Sequence, residues 1–158
     1  MFGTKQFPSS PSLMTKKMIL CAIDFSDPSL PALNWAFDFA KCCQGHVTIL
    51  FCYRLIPAED HEKGSNIKRI FESEAQKKIN ELEGRVLNDS PVSHQFITEV
   101  GFLPSRIAEF VRMTPVNLLV MSSTFSDNFV DHPDQSFQHF INSCKIPVVI
   151  VPDETKEV

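Results

Sequence analysis

Glycine is scarce in this chain, with five in 158 residues, and none falls between Val116 and Ser136. The gap is informative because a strand-like run, 116–121, leads there into a polar stretch, 122–136, and then into a helix. In α/β proteins such strand-to-helix connections bind phosphates, because backbone N–H groups and a helix N-terminus converge on them. Close approach of a backbone to a phosphate normally calls for glycine. The absence argues against a phosphate cradle of the usual glycine-rich kind.

Other shortages narrow the function further. Cationic excess is lacking: 15 Lys and Arg against 19 Asp and Glu leave a net charge of −4, which argues against general nucleic-acid binding through counterion release. No apolar run approaches the ~18–20 residues that span a bilayer. Residues 1–15 hold a single lysine, a Pro/Ser cluster and no apolar core, so they read as a flexible leader and not as a signal peptide. The five cysteines, Cys21, Cys42, Cys43, Cys52 and Cys144, are odd in number and show no CxxC or metal-type spacing. They read as reduced thiols of a cytoplasmic protein. Redox activity of the adjacent pair Cys42-Cys43 is the alternative, with only Lys41 nearby to lower a thiol pKa. Trp and Tyr occur once each against 14 Phe, and most of these Phe fall at core positions of helices or strands.

What is present is a regular alternation of strand and helix. Met18-Ile19-Leu20-Cys21-Ala22-Ile23 is continuously apolar, the mark of a strand covered on both faces. Ser26 or Asp27 is placed to cap the following helix, with Pro28 in its first turn. Leu33, Ala36, Phe37 and Ala40 give that helix one buried stripe, and Gly45 is the expected left-handed cap at its end. A second buried strand covers 47–53. After a polar loop, a long helix from about Asn66 carries Ile67, Phe71, Ala75, Ile79, Leu82 and Val86 inward, and Lys68, Glu72, Lys77, Lys78 and Glu81 toward solvent.

Asn88–Pro91 is a turn cluster, and residues 92–100 alternate as an edge strand does. Gly101 turns the chain, and Pro104 opens a short helix with Ile107, Phe110 and Val111 inward. A fourth strand at 116–121, a helix striped by Phe137, Phe140, Ile141 and Cys144, and a fifth strand at 146–151 complete the pattern. The chain thus reads β-α-β-α-β-α-β-α-β in one domain, a parallel sheet with right-handed crossovers and helices on both faces.

Four segments in this order carry a resemblance: Ile19-Leu20-Cys21-Ala22-Ile23-Asp24-Phe25-Ser26 with Ser29-Leu30 and Ala32-Leu33; Gly101-Phe102-Leu103-Pro104; Asn117-Leu118-Leu119-Val120-Met121-Ser122-Ser123; and Lys145-Ile146-Pro147-Val148-Val149-Ile150-Val151-Pro152. Together they resemble the universal stress protein family, over residues 16–152. The resemblance implies a Rossmann-like three-layer domain with a five-stranded parallel sheet in the order 3-2-1-4-5, usually dimeric, with 1–15 as leader and 153–158 as tail.

Members of that family that bind ATP carry glycine, two residues, glycine, nine residues, then Gly-Ser or Gly-Thr after the fourth strand. Aligned from Met121, the glycine positions here hold Ser122, Phe125 and Gln135, while Ser136 keeps the hydroxyl. The loop keeps its length and loses each glycine. Asp24 matches the acidic residue that lies near the ribose in nucleotide-binding relatives, although an Asp there can equally hold the loop or cap the next helix. The positions equivalent to a ligand or nucleotide pocket are Ile23, Asp24, Phe25, Ser26, Val100, Ser122, Ser123, Phe125, Gln135 and Ser136.

Physical chemistry weighs against ordinary ATP binding at this loop. Ser122 and Phe125 add Cβ atoms where the backbone would crowd a phosphate chain, and Phe125 can fill the space itself. Gln135 replaces the glycine at the start of the last helix. Asp127, Asp131 and Asp134 compete for the helix dipole and repel polyphosphate. The contrary reading has the hydroxyls of Ser122, Ser123, Thr124, Ser126 and Ser136 bind phosphate through a metal bridging the aspartates. His132 and His139 have no recognised ligand spacing, and no serine stands in a nucleophile context.

The sequence is therefore expected to encode a cytoplasmic, dimeric, non-enzymatic stress-response or signalling module without a cofactor, acting through protein contacts or a small ligand, and binding neither nucleic acid nor membrane. An ATP- or AMP-binding member with a degenerate, weakly hydrolytic loop is the alternative. An adenine-nucleotide-handling or flavodoxin-like enzyme on a related fold has less behind it, because neither a glycine-rich loop nor a paired-carboxylate site is visible.

Overall fold

Apolar residues without interruption make the first strand the centre of the molecule. The computed structural model describes residues 16–25, 29–53, 61–87, 89–125 and 136–153, with 61–65 and 86 described by backbone alone. Along the chain lie β1 (Met18–Ile23), α1 (Ser29–Cys43), β2 (His46–Tyr53), α2 (His61–Leu82) running into a π-helical turn (Glu83–Leu87), β3 (Ser93–Val100), α3 (Leu103–Met113), β4 (Leu118–Ser122), α4 (Phe137–Cys144) and β5 (Val148–Val151). The five strands form one parallel sheet in the order β3-β2-β1-β4-β5.

Strand alternation sends the side chains of β1 into two separate cores. Ile19, Cys21 and Ile23 pack with Ala32, Leu33, Ala36 and Ala40 of α1, and the π turn adds Leu87 on that face. Leu20 and Ala22 pack on the other face with Ile107 of α3 and with Phe140 and Cys144 of α4. From Ile19 to Ile23 no residue exceeds 2% exposure. Each of the larger side chains so buried contributes about 1.5–3 kcal/mol. The edge strand β3 alternates between exposed and half-buried residues over most of its length, as one open face requires.

Several boundaries differ from the sequence reading. α2 begins at His61, a turn before Asn66, and its regular form ends at Leu82, so Val86 belongs to the π turn. β4 starts at Leu118 and reaches Ser122, while β5 starts only at Val148. The delay in β5 has a cause: Lys145 ends α4 in the left-handed region at φ 55°, and Pro147 has only its carbonyl to offer, which accepts from Leu119 N at 3.0 Å. Phe71, expected inward, is 37% exposed and stacks on Tyr53 at 5.9 Å. Phe39 is likewise 41% exposed, stacked on Trp35 at 5.3 Å.

The end of α1 corrects the expected role of Gly45. Gln44, not Gly45, takes the left-handed conformation at φ 53°, and the Gly45 N–H donates back to the Ala40 carbonyl at 2.8 Å. That is the Schellman arrangement shifted one residue from the glycine. Glycine is required at 45 for space: a Cβ there would stand 2.9 Å from the Lys17 carbonyl oxygen and 3.1 Å from Cys43 Sγ. Gly84, in the π turn, would meet nothing within 4 Å.

Two stability measurements check these points. By chemical denaturation, Gly45→Ala is expected to cost about 1–3 kcal/mol through overpacking. Gly84→Ala is expected to gain about 0.5–1 kcal/mol from reduced backbone entropy in the unfolded chain.

At the start of β2, His46 Nδ1 hydrogen-bonds Ser93 Oγ at 2.8 Å. Burial, then Lys16, then His94 hold the His46 pKa below its ordinary value of 6.5. The unfolded chain therefore takes up this proton first, and the histidine subtracts stability as pH falls below 6.5. Denaturant titrations at neutral pH and near pH 5 are expected to show a smaller acid loss for His46→Gln than for the parent chain.

Candidate functional site

Parallel strands deliver their carboxyl ends to one side of the sheet, where the helices of the next units begin. The register that sets Cys21 opposite Val120 brings the ends of β1 and β4 to the same level. Ile23, Asp24, Ser122 and Ser123 are thereby neighbours. Val100 is not: it ends β3 opposite Tyr53, with β2 between it and β1. Ser26 and Gln135, together with Asp127, Asp131, His132 and Asp134, lie outside the described residues, as do the alternative cap Asp27 and the first-turn Pro28.

Asp24 is held by the first residue of α1. The Ser29 hydroxyl donates to Asp24 Oδ1 at 2.7 Å, and its Oγ in turn accepts from the Asp24 N–H at 3.2 Å. Ser29 is only 3% exposed. This closed five-residue link supports the loop-holding role for Asp24. The sequence reading placed the capping chemistry at Ser26 or Asp27; the Asp-to-Ser spacing from 24 to 29 was the available signal for Ser29.

Phe25 leaves the strand with φ 61°, a conformation that a bulky residue adopts at a cost. Its ring turns to the α1 and α2 side, 4.5 Å from the Phe51 ring, with Lys78 Nζ 5.8 Å from its centre. Phe125 goes to the opposite face. It is 1% exposed and packs in the core beside Ala22, Met121 and Phe140. The two phenylalanines of the candidate pocket are thus separated by the sheet, and neither ring stands free over the strand ends.

The hydroxyls after β4 are turned to local work. Ser122 is fully buried, its Oγ 3.0 Å from Thr124 Oγ1 and accepting from Thr124 N at 3.3 Å. That bond starts the 3-10 turn at 123–125, which drives Phe125 into the core. Ser136 is the N-cap of α4 and accepts from His139 N at 3.1 Å. This is an ordinary cap, and it engages one of the N–H groups that a phosphate would need. Among the described residues no group of three His, Cys, Asp or Glu side chains is placed to hold a metal ion.

Arg106, which the sequence reading did not single out, packs on the expected turn at Gly101. Gly101 has φ 137°, and a Cβ there would lie 2.8 Å from Arg106 Nε. The guanidinium lies across this glycine, donates from Nη1 to Glu109 at 2.7 Å, and leaves Nε buried with no partner among the described residues. Nearby, burial and then Glu99 push the Cys52 thiol up to about 12, against the lowering effect of Arg106. Burial likewise pushes Cys21 up to about 12. Thiols so raised are poor nucleophiles at neutral pH. Cys42 is exposed, and all five cysteines are free.

A doubly wound α/β domain with a candidate site at the carboxyl ends of its central strands is defined by these features. The family model described as the universal stress protein family matches residues 16–152, and the chain belongs to that family. Its fold is similar to that of the universal stress protein UspA from Lactobacillus plantarum, at 16% identity and a TM-score of 0.69, covering 85% of this chain and 97% of the other. A universal stress family protein from Burkholderia pseudomallei aligns with a TM-score of 0.68 at 16% identity, covering 88% and 98%. A third, from Archaeoglobus fulgidus and in complex with dAMP, aligns with a TM-score of 0.61 at 14% identity, covering 87% and 98%. No curated protein matches the chain.

Phe125 provides the measurable consequence. Its truncation removes a fully buried aromatic ring from the α3 and α4 core, so Phe125→Ala is expected to cost about 3–5 kcal/mol in a denaturant titration.

Proposed function

We propose that this universal stress protein is a non-enzymatic stress-response or signalling module, whose family nucleotide site is closed and which acts as a homodimer through protein contacts. The observation that carries the reading is Phe125. At a position where ATP-binding relatives have glycine, it brings a ring that is 1% exposed and belongs to the core. Asp24 held by Ser29 and Ser136 spent on the α4 cap agree with it. We assign the domain to residues 16–152 between a leader and a short tail, and place the protein in the cytoplasm. Among the described residues no helix is long and apolar enough to cross a membrane.

Dimerisation is supported by β5. It is an edge strand of the sequence Val148-Val149-Ile150-Val151 with its first three residues half-buried, and an apolar edge of this kind pairs readily with a second copy.

A second reading has one observation in its favour: the structural neighbour from Archaeoglobus fulgidus is in complex with dAMP. On that reading the chain takes an adenine nucleotide despite its loop, with slow hydrolysis. Calorimetric titration with Mg-ATP, and separately with dAMP, separates the two. No binding heat is expected from either; micromolar binding of either nucleotide overturns the closed-site reading. Light scattering after size exclusion is expected to give the mass of a dimer, and a monomer at high micromolar concentration rejects that part.

A further inference from the structure

The other end of the sheet, where the strands begin, carries a groove that the closed nucleotide site does not involve. It has a volume of about 550 Å³ and lies between one flank of α1 and residues of the segments 84–87 and 89–92. Its floor is apolar, made by Phe37, Leu87 and Val92, all buried. Asp38 and Lys41 of α1, with Arg85 and Asp89, line the same groove, and all four are exposed. A second cavity of about 340 Å³ shares Lys41 and Val92 and adds Lys16, Gln44 and Ser93. Volumes of this order are those of small-molecule sites.

Two features mark the groove as more than a gap between helices: its charged lining, and a π-turn wall that contains a glycine. Asp38, Lys41, Arg85 and Asp89 line one groove, yet none makes an ion pair or hydrogen bond among the described residues. Gly84 lies on its wall, within a helical segment that glycine weakens, and no neighbouring atom requires glycine there. Its bare backbone leaves room for close approach of a ligand. The wall itself is a π turn, an energetically poor local structure that recurs at functional sites.

Charge selects the ligand class. Two cations and two carboxylates in the larger cavity balance, so a simple anion or cation gains little. The smaller cavity holds Lys16 and Lys41 with no acidic residue, whereas Asp38 and Asp89 belong to the larger. We propose that this groove binds a small zwitterion of the amino-acid or short-peptide type, its carboxylate toward Lys16 and Lys41 and its ammonium toward Asp38 and Asp89. Such a ligand matches both signs and lies along Gly84.

The test is an NMR titration of the isotope-labelled full chain with triglycine, which carries both charges on a backbone without side chains. Saturable shifts are expected at the amides of Gly84, Arg85 and Ser93, with none at Ser122 or Ser136. Asp38→Asn and Lys41→Gln, both exposed substitutions monitored by thermal melting, are each expected to weaken binding about tenfold, the effect of losing one charged contact. Gly84→Ala, which the backbone accommodates, places a methyl group in the groove and is expected to weaken the same titration. Acetate and ethylammonium, offered separately, are expected to bind more weakly than triglycine. Absence of saturable shifts at millimolar triglycine overturns the proposal, as do titrations left unchanged by all three variants.

Discussion

Burial of β1 on both faces is the constraint on which the other elements depend. A strand whose odd and even residues both require apolar partners must sit between two helical layers. In this chain Ile19, Cys21 and Ile23 call for α1, and Leu20 and Ala22 call for α3 and α4. Placing β1 at the centre then fixes β2 on one side and β4 on the other. The reversal of strand order at β1 opens a crevice at the carboxyl ends of β1 and β4, which is where doubly wound proteins bind ligands. In this molecule the same packing demand reaches up into the crevice, because Phe125 is drawn into the core that Leu20 and Ala22 begin.

That competition between packing and binding explains the arrangement of the site. A glycine-rich loop keeps its backbone amides available because it has no side chains to bury. Phe125 instead gives this loop an apolar group whose burial contributes about 1.5–3 kcal/mol. The Ser122 hydroxyl, free to face a phosphate in principle, instead accepts from Thr124 N and closes the turn that delivers the ring. The hydroxyls of Ser122 and Ser136 and the carboxylate of Asp24 are thus engaged in holding the chain together.

Much of this was legible in the amino-acid order. Continuous apolar runs gave β1 and β2, the stripe from Leu33 to Ala40 gave the inner face of α1, and alternation in 93–100 gave the edge strand. The sheet order came from family resemblance, since periodicity says nothing about which strands are neighbours. What was missed depends on contacts remote in sequence or on backbone details. The need for glycine at 45 arises from the Lys17 carbonyl, which no local rule anticipates. Asp24 is held by Ser29, one of two serines that follow it closely. The exposure of Phe71 follows from stacking on the outer face of Tyr53, which helical periodicity alone cannot separate from core burial.

Parallel topology has an electrostatic corollary at the end where strands start. Every crossover helix finishes there, so the carbonyl ends of α1 and of the π-extended α2 point to the same side of the molecule. Lys41 stands in the last turn of α1, and Arg85 within the π turn that closes α2. Cations in such positions are favoured by the helix dipole by about 0.3–1 kcal/mol each. The scaffold therefore retains positive charge at this end independently of any ligand. Lys41 and Arg85 thus each add a small contribution to folding that does not depend on the groove having an occupant.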